Sequence, residues 1–63
     1  MTKDQAIAIK VRVDTAMMAL REAWAKLPMV EGDDDNEVVT DGLEEALQAA
    51  ETAQKRLNTI IGI

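Results

Sequence analysis

"LPMVEGDDDNE", residues 27–37, decides how the chain folds. Proline at position 28 disfavours an α conformation at Leu27 and has no N–H to give, so a helix arriving from the N-terminal side stops here. The acidic residues that follow point the other way. Asp34, Asp35 and Glu37 favour the positive N-terminal end of a helix, so a second helix leaves the same stretch. A connector of about seven residues is short enough to lay the two helices side by side and antiparallel.

Working back from Pro28, the first helix is predicted over about 3–27. Thr2 with Gln5 three positions on has the form of a capping box. Ala6, Ile9, Val13, Ala16, Leu20, Ala23 and Leu27 recur at alternating spacings of 3 and 4, which is one face of a helix. Met17 and Trp24 widen that face. A second apolar strip, Ile7, Val11, Met18 and Ala25, points roughly 120–160° away from it. One partner helix covers only one face, so this strip is expected to be an interface between copies. A ligand groove lined by Met18 and Val11 is the alternative.

Working forward, the second helix is predicted over about 35–61, with an acidic connector at about 28–34. Its stripe is Val39, Leu43, Ala46, Ala50, Ala53, Leu57 and Ile60, with Leu47 and Ile61 beside it. Asp34 with Glu37, or Asp41 with Glu44, would each frame a capping box. The earlier start is preferred because Val39 already keeps the register, which places Gly42 inside the helix. Gly62 followed by Ile63 suits a left-handed C-terminal cap with the isoleucine folded back. Ala46, Ala50 and Ala53 are small enough to let the two axes approach closely.

The whole chain of 63 residues is therefore a single all-α domain, residues 1–63, an antiparallel two-helix hairpin. A domain this small buries only roughly 60% of its unfolded surface. With no cysteine and no histidine, neither disulfides nor thiolate or imidazole metal sites add stability. Assembly into a homo-oligomeric helical bundle is the expected remedy. No apolar run is long enough to span a membrane, and no signal peptide opens the chain; a cytoplasmic location is expected.

Charge is unevenly placed. There are 12 acidic and 7 basic residues, a net −5. Six of the acidic residues fall between positions 31 and 41: Glu31, Asp33, Asp34, Asp35, Glu37 and Asp41. Lys3, Lys10, Arg12, Lys55 and Arg56 gather at the opposite, open end of the hairpin. The acidic tip is either a solvated, cap-rich connector or a patch that docks on a basic surface of another protein. The twelve residues from Asp33 to Glu44 resemble a calcium loop in having acidic residues at positions 1, 3, 5, 9 and 12. Val38 occupies position 6, where the sharp turn needs glycine, and no metal is expected.

No cofactor and no catalysis are expected either. There is no nucleophile with a base, no glycine-rich phosphate loop, and no histidine for proton transfer near neutral pH. Without a basic stripe, duplex nucleic acid is not an expected partner. Trp24, the single large aromatic, either packs in the core or stacks on a ligand base.

The second helix carries "LEEALQAAETAQKR", residues 43–56. Leu43-Glu44-Glu45-Ala46, followed by Ala50, Ala53 and Arg56, resembles the last helix of small phage proteins that sequester cyclic oligonucleotides, the anti-CBASS sponges. The similarity covers about a quarter of the chain. It implies a non-enzymatic anti-defence protein of a phage, acting in the bacterial host cell as a homo-oligomer with pockets between subunits. On that reading Lys10, Arg12, Lys55 and Arg56 hold the phosphates and Trp24 stacks on a base, the phosphate-binding role of Arg56 being the one the resemblance itself implies. The alternative is an acidic inhibitor of a basic host protein, anti-CRISPR-like or antitoxin-like, which works through the tip at 31–41.

Overall fold

The caps define the two helices before any packing does. In the computed structural model, which describes residues 1–28 and 32–63, α1 is Lys3–Ala25 and α2 is Asp34–Ile61. Thr2 Oγ1 accepts from the Gln5 N–H at 3.1 Å, and Gln5 Oε1 accepts from the Thr2 N–H at 2.9 Å. Two N–H groups that the first turn leaves unpaired are satisfied by this reciprocal pair. α1 ends two residues before the predicted 27. The Lys26 and Leu27 N–H groups bond tightly back to Ala23 and Trp24 at 3.1 Å. The chain closes its last turn this way because Pro28 denies Leu27 the α conformation.

α2 starts one residue before the predicted 35. Its cap is Asp33, whose carboxylate accepts from the Asn36 N–H at 3.2 Å. At the other end Gly62 is left-handed, with φ 91°. The Gly62 and Ile63 N–H groups both reach the Asn58 carbonyl, at 2.9 and 3.0 Å. The Ile63 side chain does not fold back; it is 82% exposed.

The helices pack as an antiparallel hairpin, a rod of 46 × 15 × 15 Å. The seam differs from the predicted stripes by a rotation of both helices. α1 turns Ala6, Lys10, Val13, Met17 and Leu20 toward α2, while Ile9, Ala16 and Ala23 are exposed. α2 turns Asn36, Thr40, Leu43, Leu47, Ala50, Gln54, Leu57 and Ile61 inward, while Val39 and Ala53 are exposed. Met17 and Leu47 bury more apolar area in the seam than Ala16 and Ala53 would, which favours this rotation. The close approach expected of three alanines therefore rests on Ala46 and Ala50.

The core is small. Among the described residues Ala6, Met17 and Leu57 are buried, and no polar residue is. The second strip of α1 stands in solvent, with Val11 at 61% and Met18 at 62% exposure. No described helix is long and apolar enough to cross a membrane.

Candidate functional site

At the acidic tip, α2 begins with three carboxylates in its first turn, Asp34, Asp35 and Glu37. All three are exposed, as is Asp41 one turn on. Asp33 is different: it is half-buried and spends its carboxylate on the cap. Glu31 lies outside the described residues. Because the backbone is helical from Asp34, successive acidic side chains fan out by about 100° per residue. They do not converge as a calcium loop requires, and no group of three acidic side chains among the described residues could hold an ion.

Ion pairing among the described residues is confined to Lys10 and Asp14, one turn apart on α1, at 2.8 Å. The other carboxylate oxygen of Asp14 accepts from Gln54 Nε2 across the seam, also at 2.8 Å. The Lys10 ammonium and the Gln54 amide together hold the Asp14 carboxyl below its ordinary range, against the opposing effect of partial burial. This is the one side-chain hydrogen bond between α1 and α2 among the described residues. It sets Asp14 level with Gln54 and so fixes the register of the hairpin.

The candidate ligand residues are spread over the surface of the single hairpin. Lys10 faces the seam and is committed to Asp14. Arg12 borders a shallow depression on the outer side of α1, with Ala8, Val11 and Ala19. Lys55 and Arg56 share another on the outer side of α2 with Thr52 and Thr59. Both threonine hydroxyls already donate to carbonyls one turn back, Gln48 and Lys55, at 3.0 and 3.1 Å. Trp24 stands apart from these, toward the tip. With Arg21, Leu47 and Gln48 it lines an open groove whose acidic members are Glu44 and Glu51.

Two features escaped the sequence reading. Lys10 and Asp14 stand four apart, the spacing of a helical ion pair, and that signal was available. Their link to Gln54 was not, because it depends on the rotation of both helices. Asn36 and Asn58, half-buried on the inner side of α2, each bury a side-chain oxygen that no donor reaches. No protein-family model, curated protein or solved structure matches this chain.

Proposed function

We propose that this chain is a non-enzymatic binding protein that docks its acidic tip on a basic surface of another protein. One observation carries this reading. The carboxylates of Asp34, Asp35, Glu37 and Asp41 are exposed on a rigid helical turn and make no ion pair with any described residue. At the other end of the hairpin, Lys10 is already neutralised by Asp14. Arg12, Lys55 and Arg56 are also unpaired among the described residues, but Arg12 borders a different depression from the other two, whereas the four tip carboxylates follow one another in the first two turns of α2. A capped helix fixes the backbone that carries them, so docking costs side-chain but little backbone freedom.

A second reading keeps a cyclic oligonucleotide at the basic end, in an oligomer that brings several such ends together. What favours it is the shared depression of Lys55 and Arg56. A planar guanidinium beside an ammonium suits phosphate oxygens.

One experiment separates the two. Amide chemical shifts are followed while an arginine-rich peptide, and separately cyclic di- and trinucleotides, are titrated in. Tip docking predicts saturable shifts over residues 33–41 with the peptide, lost when Asp34, Asp35 and Glu37 are changed to Asn and Gln. Sequestration predicts shifts at Arg12 and residues 55–59 with a nucleotide. Silence of residues 33–41 toward the peptide defeats the first reading.

A further inference from the structure

The rotation that buries Met17 and Leu47 leaves an apolar flank that both helices share. Arg21 of α1 faces Glu44 and Glu51 of α2 across one groove. At 100° per residue, the opposite flank of α1 carries Ile9, Ala16 and Ala23, and that of α2 carries Val39, Ala46, Ala53 and Ile60. Each set repeats every seven residues, so the flank stays on one side along a supercoiled pair. No charged residue falls within either set. Ile9 and Val39 are exposed at 40% and 51%, with Ala16, Ala23 and Ala53 exposed between them, while Ala46 and Ile60 are half-buried where the flank meets the seam.

We infer that this two-helix flank is the interface for a second copy of the chain, packed with the tip of one hairpin beside the base of the other. The exposed area is large enough to supply such an interface. A folded monomer of 6.9 kDa exposes roughly 4,000 Å² by surface-to-mass scaling. This chain exposes 4934 Å². The excess, about 900 Å², is close to the roughly 800 Å² that each partner buries in a standard interface. The strip Ile7, Val11, Met18 serves less well. It runs on α1 alone, a single ridge, and Val11 shares its depression with the charged Arg12.

Charge selects the direction. Packing two hairpins with tips together would bring Asp34, Asp35, Glu37 and Asp41 of both copies to one end. Tip beside base keeps the two acidic tips at opposite ends and sets each level with the other copy's Lys3, at the start of α1. The direction also decides which helices meet. Tip beside base lays α1 against α1 of the second copy, antiparallel, and Ala16 near mid-rod meets its own equivalent. Tips together lays α1 against α2, and Ala16 faces the region of Thr52 and Ala53.

Sedimentation and native mass spectrometry of the full chain test the assembly. The expected result is a dimer whose melting midpoint rises with protein concentration. Ala16→Glu and Ala53→Glu shift it to monomer, while Val11→Glu leaves it dimeric. A monodisperse wild-type monomer overturns the inference, as does dissociation by Val11→Glu but not by Ala16→Glu. Should Ala16→Glu lose its helical circular dichroism, Ala16→Cys decides, in a chain with no other cysteine. Oxidation is expected to link the folded dimer through one disulfide; a folded dimer that does not link sinks the tip-beside-base arrangement.

Discussion

The two helices of the hairpin are unlike each other. α2 carries seven carboxylates and two cations, and its apolar residues keep to one broad side except Val38, which is 72% exposed on the other. α1 carries three carboxylates and four cations, and Ile7, Ile9, Val11, Met18 and Trp24 stand exposed around its circumference. α2 has a polar back and needs one covered side. α1 has no wholly polar side, so a single neighbour leaves it incompletely covered. The difference shows where each helix gets its orientation. That of α2 is largely written in its own amphipathic pattern, whereas that of α1 is chosen by its partner, through Met17 in the core and the Asp14–Gln54 bond.

The strongest way to break this comparison is to truncate one apolar residue on each helix. Leu57→Ala is expected to cost about 2–5 kcal/mol, because it opens a cavity at one of the few buried positions. Loss of a cooperative melting transition would be its signature. Val11→Ala, on the exposed strip, is expected to stay within about 0.5 kcal/mol in the same urea melt. Equal effects would mean that α1 is covered where it is drawn open.

Changes of about 1 kcal/mol sharpen the contrast at the backbone level. Gly42→Ala should stabilise the fold by about that amount, since glycine is a poor helix former and an added Cβ meets nothing within 4 Å. Thr2→Ala should destabilise it by about 1 kcal/mol through loss of the α1 cap. Both are read from denaturant midpoints; a destabilising Gly42→Ala would place an unseen neighbour over α2. Smaller still is the double change Asp34→Asn and Asp35→Asn. It removes charges that favour the start of α2 and should lower stability by about 0.3–1 kcal/mol at low salt, and by less at high salt.

The last prediction concerns acid. The Asp14 carboxyl is held below its ordinary pKa by Lys10 and Gln54. The unfolded chain therefore takes up its proton first as pH falls. The stabilisation from this group is complete above the unfolded carboxylate pKa of about 3.9, and is lost as pH drops through the lower folded value. Asp14→Asn should flatten the acid limb of a plot of melting temperature against pH. A limb of unchanged steepness would show that Asp14 is not held as described.

The ends of the helices were legible in the sequence because caps are local. Thr2 and Gln5, Pro28, and Gly62 each act within four residues, and each does what its chemistry dictates. The rotation was not legible. Around α1 the alanines and β-branched residues offer several apolar faces of similar quality, so spacing alone gives no unique phase. Two things break the tie: Met17 and Leu47 bury more apolar area than the alanines they displace, and Asp14 gains a bond from Gln54 across the seam that no apolar count anticipates. The acidic tip was readable as a charge cluster. Its division into one capping carboxylate, Asp33, and exposed neighbours needed the helix to begin at Asp34. Trp24 lies twelve residues, about 18 Å of helix, from Arg12 whatever the rotation, so its separation from the basic end was legible too.

Trp24 has an optical consequence. It is the chain's single tryptophan, and there is no tyrosine, so near-ultraviolet emission comes from one place. That place is a partly exposed groove beside Glu44, on the tip side of the seam. The molecule is thus labelled by nature at one end. A partner settling over the acidic half changes the water around the indole and shifts its emission, while an event confined to Lys55 and Arg56 leaves the spectrum as it was.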